Sequence, residues 1–227
     1  MEKTGSTATL RVHHLLDASR ANGPGTRAVL WLQGCSRHCA GCFNPETHDP
    51  AAGRTLPLPA LLEWYERVAP RIDGLTVSGG EPLEQAASLR LLLEAARHAA
   101  DLPVLLFTGW TWPEIEASAE ASACVRLADA VLAGPYVRPA AGDGRPLRRG
   151  AAHAGGAAPP GSGAATRWGS PGQELRLLGG RFTPADFVAL PAAEVWVAGD
   201  GALVVTGIDP PRALDLPGAS PRPAMKP

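Results

Sequence analysis

Three cysteines lie within eight residues of one another, at Cys35, Cys39 and Cys42. Their C-x3-C-x2-C spacing puts three thiolates in one short loop, and thiolate is the soft donor that iron–sulfur clusters and zinc select. A structural zinc site is closed by four protein ligands, and the C-x2-C-x2-C run of ferredoxins carries a fourth cysteine. This loop supplies three ligands, so a four-iron cluster held here would keep one iron open to a molecule from solution.

A second motif, Gly79-Gly80-Glu81-Pro82, follows the short apolar run GLTVS at residues 74–78. The run predicts a buried strand, the two glycines let the backbone approach a ligand closely, and Pro82 suits the first turn of a helix. The cysteine loop also follows an apolar run, at residues 27–33. Functional loops lie at the carboxyl ends of parallel strands, so we expect the two motifs to share one edge of a sheet.

Together the two motifs resemble the signature of the radical S-adenosylmethionine (SAM) superfamily. The run NGPGTRAVLWLQGCSRHCAGCFNPETH, residues 22–48, resembles the activating enzymes of glycyl-radical enzymes. Within that group the chain is most similar to the activators of anaerobic ribonucleotide reductase. The resemblance covers residues 9–208 apart from an insertion, and it is strongest over 22–48 and 76–85.

The resemblance implies a 4Fe-4S cluster on the three cysteines and SAM on the open iron. It also implies contacts to SAM by residues of the two motifs and of a third strand end: Gly41, Phe43, Ser78, Gly79, Gly80, Glu81, Pro82 and Thr108. One electron, from flavodoxin or ferredoxin, would cleave SAM to a 5′-deoxyadenosyl radical. That radical would take hydrogen from a glycine of a partner glycyl-radical enzyme, by resemblance an anaerobic ribonucleotide reductase. No catalytic acid or base is required beyond the cluster.

The alternation of apolar runs and helical patterns predicts an α/β fold with a parallel sheet. The resemblance makes this an incomplete (β/α) barrel of the radical SAM type, and residues 194–208 read as a C-terminal β-hairpin turned at Gly199–Gly201. The predicted organisation is a core at 1–136, a flexible Ala/Gly/Pro/Arg insertion at 137–167, the C-terminal part of the core at 168–208 and a disordered tail at 209–227.

Composition limits the partners. The net charge is −1 with no polybasic stripe, which argues against nucleic-acid binding. No apolar run reaches membrane-spanning length, and residues 1–26 lack the apolar centre of a signal peptide, so we expect a cytoplasmic protein whose clustered cysteines stay reduced. The two lysines, Lys3 and Lys226, stand at the ends of the chain, which disfavours Schiff-base chemistry.

Five further features of the sequence carry expectations of their own. Cys124 is expected to be a small buried residue, His38 a solvated loop residue, and the pair Arg148–Arg149 a solvated pair. Asp129 is predicted either to orient a ligand or to cap or pair near a strand end. Gly172 stands where the related activators often have Asn.

Three functions remain open. The first is the glycyl-radical activating enzyme. The second is another radical SAM enzyme that modifies a peptide or small molecule, which the insertion and the altered segment RWGSPGQ at residues 167–173 favour. The third is a non-catalytic iron–sulfur electron-transfer module, against which the Gly79–Pro82 motif argues.

Overall fold

The computed structural model describes residues 8–42, 44–137, 169–170, 172–188, 190–191, 194–197 and 203–206. Phe43, Arg148–Arg149, the tail at 209–227, and all but the first residue of the predicted insertion lie outside these ranges. The expectations for them therefore stay predictions.

The described strands are β1 (Thr9–Ser19), β2 (Arg27–Leu32), β3 (Arg54–Pro57), β4 (Gly74–Gly79), β5 (Val104–Thr108), β6 (Ala130–Ala133), β7 (Glu174–Leu177), β8 (Glu194–Val197) and β9 (Leu203–Thr206). The described α-helices are α1 (Leu58–Val68), α2 (Ala86–Ala99), α3 (Trp112–Ala117) and α4 (Ala119–Val125). Short 3-10 helices cover Pro45–Thr47, Ala69–Arg71, Pro82–Gln85 and Pro184–Phe187. None of the helices in the described ranges is long and apolar enough to cross a membrane.

Seven strands form one mixed sheet in the order β3-β1-β2-β4-β5-β6-β7, and β8 pairs with β9 separately. The α/β prediction is confirmed, and the predicted parallel pairing holds for β2, β4, β5 and β6. It is wrong at the flanks, where β1, β3 and β7 pair antiparallel with their neighbours. The turn between β1 and β2 is too short for the crossover that a parallel neighbour requires. The predicted turn at Gly199–Gly201 lies outside the described residues.

The parallel strands are buried on both faces of the sheet. Leu106 and Val131 belong to the core that α1, α2 and α4 cover, whereas their chain neighbours Leu105 and Leu132 pack with Leu175, Phe182 and Phe187. Successive side chains of a strand point to opposite faces, so this alternation shows apolar packing on each side. The carboxyl edge of the parallel strands is thereby a rigid platform.

The predicted helices are largely present, with shifted ends. The apolar periodicity of residues 57–71 predicts one helix with Leu61 and Tyr65 on its apolar face; the structure has α1 there, and Trp64 is buried on the same face. The sequence also predicts one helix over about 112–123, but the structure has two, because Ser118 leaves the helical conformation and its hydroxyl caps the start of α4 by accepting from the Ala121 amide. The strand β3 was not predicted, since four residues with largely exposed side chains carry no apolar pattern.

Two charged side chains hold the amino ends of the strands. Arg27 is fully buried and donates to the carbonyl oxygens of Leu75 and Pro103, and burial lowers its pKa to about 10. The carboxylate of Asp129 accepts from the Val104 amide at 2.8 Å and pairs with Arg97 at 3.0 Å. Asp129 precedes β6, at the opposite end of the sheet from the cysteine loop, so the structure favours pairing over a ligand role.

Candidate functional site

The cysteine loop leaves the carboxyl end of β2 and is closed at its base by hydrogen bonds. The amides of Gly34 and Cys35 donate to the carbonyl oxygens of Thr47 and His48, at 2.8 and 3.1 Å. The buried side chain of Gln33 donates to the carbonyl oxygens of Glu46 and Asp49. The return segment is thus fixed to the outgoing one, which defines where the three cysteines lie.

The two glycines after β4 pack against the base of that loop. The Gly80 amide donates to the Leu32 carbonyl oxygen and the Glu81 amide to that of Gly34, both at 2.8 Å. A Cβ atom on Gly79 would overlap the Leu32 backbone, one on Gly80 would overlap the Gly34 carbonyl oxygen, and Gly79 has φ +108°. The chain's own backbone therefore requires both glycines, independently of any ligand.

Glu81 is buried at the same edge and its carboxylate is fully engaged by the protein. One oxygen accepts from the Leu83 amide at 2.9 Å and the Thr108 hydroxyl at 2.6 Å, and the other accepts from the Gly109 amide at 2.7 Å. Burial outweighs these bonds and raises the pKa of Glu81 to about 7. The side chain joins the ends of β4 and β5, and a contact to SAM stays a prediction.

A cavity of about 90 Å³ brings most of the predicted site residues together. The predicted residues that line it are Cys35, Cys39, Cys42, Ser78, Gly79, Gly80, Glu81 and Thr108. Gly41 and Pro82 are not in its lining, and Phe43 lies outside the described residues.

Eight residues in that lining were not singled out as site residues: Arg37, Asn44, His48, Phe107, Gly109, Gly134, Tyr136 and Gln173. Two of them carry a sequence signal that was available, because Gly109 and Gly134 stand towards the carboxyl ends of the apolar runs 103–109 and 128–136, which predict strands. Arg37, Asn44 and His48 belong to the cysteine-loop segment at residues 22–48 itself. Phe107, Tyr136 and Gln173 come from other segments of the chain, and no local pattern joins them to that loop.

The donor set fits an iron–sulfur cluster. Among the described residues, no three His, Cys, Asp or Glu side chains converge on a point where they could hold one metal ion. A cubane cluster does not need such convergence, because each cysteine binds a different iron. Burial raises the pKa of the Cys35 and Cys42 thiols, so a bound cationic group would supply the charge that stabilises their thiolates.

His38 is exposed in the loop, as predicted, and has a strained backbone. It is the one non-glycine residue of the described chain with a positive φ, at 45°. Its Nδ1 lies 3.2 Å from Nδ1 of His48, and the two rings meet edge to face at 4.8 Å. The contact fixes the turn between Cys35 and Cys39 against the return segment.

Comparison with known families agrees with this donor set. Residues 21–152 match the family described as "4Fe-4S single cluster domain". The match covers more than half of the chain. This protein is a member of the 4Fe-4S single cluster domain family.

Relatives of this 4Fe-4S protein carry names of glycyl-radical activating enzymes, as the sequence resemblance led us to expect. The resemblance is therefore confirmed. The chain is 36% identical over 91 residues to the pyruvate formate-lyase-activating enzyme of Clostridium pasteurianum, covering 38% of each chain. It is 27% identical over 145 residues to the anaerobic ribonucleoside-triphosphate reductase-activating protein of Vibrio cholerae, covering 60% of this chain and 90% of that protein. A putative glycyl-radical enzyme activating enzyme of Haemophilus influenzae is 39% identical over 89 residues, covering 38% of this chain and 34% of that protein.

The match thus spans nearly all of the Vibrio protein and little more than a third of the other two. Among solved structures, QueE from Escherichia coli is similar over 45% of this chain and 53% of that chain, with 16% identity and a TM-score of 0.35. That likeness is too slight to bear on the fold or the site.

Proposed function

We propose that this 4Fe-4S protein is a radical SAM oxidoreductase that activates a glycyl-radical enzyme. The observation that carries the proposal is the shared cavity, in which the three-cysteine loop meets the Gly79–Glu81 edge at the carboxyl ends of the parallel strands. When bound, the cluster and SAM supply a 5′-deoxyadenosyl radical that removes hydrogen from a glycine of the partner.

The chain's own residues hold and enclose the reactants. The three thiolates hold the cluster, and the hydrogen bonds at the loop base fix where it lies. The glycines at 79 and 80 line the cavity and let the end of β4 pack directly against the backbone at the base of the cysteine loop. Glu81 acts through Thr108 and Gly109, holding the ends of β4 and β5 at a fixed separation rather than transferring a proton.

We infer that the partner is an anaerobic ribonucleotide reductase, because the relative of that class is matched over 90% of its length. The proposal includes SAM, an external electron donor of the flavodoxin or ferredoxin type, and the cytoplasm as its location. It also takes the seven-strand sheet as an incomplete (β/α) barrel, which the consecutive parallel order of β2, β4, β5 and β6 supports.

The experiment is anaerobic. The cluster is reconstituted and reduced, SAM is added, and 5′-deoxyadenosine is measured with and without a candidate reductase while electron paramagnetic resonance follows a glycyl radical. We expect deoxyadenosine and a glycyl signal that both depend on the three cysteines. If deoxyadenosine forms but no candidate reductase gains a glycyl signal, the protein is a radical SAM enzyme whose substrate is another peptide or a small molecule. If the cluster is intact but no deoxyadenosine forms, both enzyme functions are excluded and the electron-transfer function remains.

A further inference from the structure

The segment between the first two cysteines is held by carboxylates from two other parts of the chain. The amide and the hydroxyl of Ser36 both donate to Oε1 of Glu84, at 2.9 and 2.6 Å. Arg37 pairs through Nη2 with Oε1 of Glu114 at 2.6 Å. Glu84 lies in the 3-10 helix after β4 and Glu114 in the first turn of α3, so the loop is tied to two successive strand–helix connections.

Glu114 is itself fixed before it meets Arg37. Its other carboxylate oxygen accepts from the amide and the hydroxyl of Thr111, at 2.7 and 2.8 Å. These bonds form the capping box of α3, and with Arg37 they lower the pKa of Glu114 to about 2. The Glu114 carboxylate is therefore charged and held in one position for Arg37, whereas a mobile surface carboxylate would first have to be ordered.

Arg37 lies between two cavities. It lines the cavity of about 90 Å³ that holds the three cysteines, and it also lines an open outer cavity of about 620 Å³. Cys39 lines both as well, while Glu84 and Glu114 belong to the outer one. Arg37 packs along Gly109, where an added Cβ would stand 2.9 Å from its Cδ. Arg37 and Cys39 thus form the wall between the cluster site and the outer cavity.

We infer that Arg37, Glu84 and Glu114 are positioning residues that fix the Cys35–Cys39 segment and screen the Cys39 side of the cluster from solvent. The inference rests on the cluster that family membership assigns and on these contacts, and it does not depend on the glycyl-radical reaction. Its consequence is a slower loss of the cluster, and no gain in the stability of the fold.

The competing interpretation is an ordinary surface ion pair, since the Glu114 side chain is 45% exposed. Such pairs contribute little to stability and nothing specific to a cofactor. The chain contains a matched control, the pair Arg90–Glu94 on α2, with side chains 38% and 40% exposed and a separation of 2.5 Å. Arg90 and Glu94 are absent from the linings of both cavities.

The test measures cluster loss from the reconstituted full chain under argon, without SAM, reductant or partner. The visible absorbance of the cluster is followed after an iron chelator is added, and the melting temperature of the cluster-free chain is recorded by circular dichroism. The variants are Arg37→Met, Glu114→Gln, their double variant and the control Arg90→Met. Glutamine at 114 can still accept from Thr111 through its amide oxygen, but its NH₂ group cannot bond a guanidinium.

We expect Arg37→Met and Glu114→Gln each to speed cluster loss by about threefold to tenfold, the range for a charge-assisted bond in partial contact with solvent. The double variant should lose the cluster no faster than the quicker single variant, because both remove one interaction. Arg90→Met should match the wild type, and the melting temperatures should agree. Glu84→Ala should also speed cluster loss. Glu84→Gln should lose the cluster at the wild-type rate, since the glutamine amide oxygen can still accept from Ser36.

The inference is overturned if Arg37→Met and Arg90→Met lose the cluster at the same rate, or if the two single effects multiply. A melting temperature that falls in step with the rate would likewise reduce these residues to a role in folding. If every variant loses its cluster at the wild-type rate, this inference alone is defeated, whereas a stable cluster that never cleaves SAM defeats the proposed function alone.

Discussion

The Thr108 hydroxyl donates a 2.6 Å hydrogen bond to the buried carboxylate of Glu81 across the ends of β5 and β4. The backbone register of the two strands runs from Leu75–Val104 to Val77–Leu106 and stops there. Beyond that point the strands no longer pair, and the carboxylate of Glu81 joins them instead. Residues at both strand ends line the cavity that the three cysteines also line, so this carboxylate joins two walls of that cavity.

Replacing Thr108 by Val should destabilise the chain by about 1–3 kcal/mol, because Glu81 loses a donor and the Trp110 amide loses its acceptor while both stay enclosed. The measurement is urea unfolding of the cluster-free chain. Thr108→Ser is the matched control, since it keeps the hydroxyl, and we expect it to lie closer to the wild type. A valine variant as stable as the serine variant would contradict the role of this bond.

Glu81 should also make stability depend on pH. Its pKa is about 7 in the folded chain against an ordinary 4.5, so the folded state binds more protons than the unfolded state between these values. Its contribution is fully present below about pH 4.5 and is lost as pH rises through 7, by about 3 kcal/mol. The measurement is the unfolding free energy of the wild type minus that of Glu81→Gln, at pH 5 and pH 7.5.

His48 also titrates in this range, because burial lowers its pKa. Its contribution is the same in both chains and therefore cancels in the difference. Glutamine loses a bond to the Gly109 amide and should be less stable at both pH values, so the informative quantity is the change with pH. A difference that stays constant from pH 5 to 7.5 would show that Glu81 is ionised throughout.

The sequence indicated where the two motifs would meet, but it did not indicate the contacts that hold the cysteine loop in place. The cysteine loop and the Gly79–Glu81 edge are local motifs after apolar runs, and topology alone brings them to one edge of a parallel sheet. Ser36 donates to Glu84 and Arg37 to Glu114, and both contacts join residues far apart in the chain. Arg37, Glu84 and Glu114 each read as an ordinary surface charge until the fold is known.

The flanks of the fold show a similar limit. The parallel centre followed from alternating strands and helices, but β7, whose sequence ELRL alternates charged and apolar residues, pairs antiparallel with β6. An apolar run specifies burial and leaves strand direction to the connection. In α3 and α4 the predicted apolar periodicity continues through Ser118, and the break is set by that residue's preference for capping a helix.

The four cysteines should separate into two groups. Replacing Cys35, Cys39 or Cys42 by Ala should abolish the visible absorbance of the reconstituted cluster, since each removes the ligand of one iron. Cys124→Ala should keep the cluster and lower stability by about 1 kcal/mol, because Cys124 is fully buried in the core, where burial raises its pKa to about 12. Iron content after reconstitution measures the first effect, and urea unfolding measures the second. A Cys124 variant without a cluster would place the fourth cysteine among the ligands.

Arg27 tests whether the amino end of the sheet can be weakened without touching the site. Its guanidinium donates to the carbonyl oxygens of Leu75 and Pro103 and to the Thr76 hydroxyl, and it lies 5.5 Å from the centre of the Phe182 ring. Arg27→Met should lower the unfolding free energy by about 2–4 kcal/mol, less than breaking a buried ion pair, because no uncompensated charge is left behind.

The variant that checks this cost independently is Thr76→Val, which removes one of the three acceptors and the bond from Thr76 to the Asn22 carbonyl oxygen. Since Thr76 contacts Arg27 directly, the two changes together should cost less than their sum. Urea unfolding of the four chains gives the coupling, and cluster loss under a chelator should be unchanged in each folded variant. Additive costs would show that the hydrogen bond between Arg27 and Thr76 contributes no stability, which would leave the bonds to the Leu75 and Pro103 carbonyl oxygens and the packing on Phe182 as the contribution of Arg27.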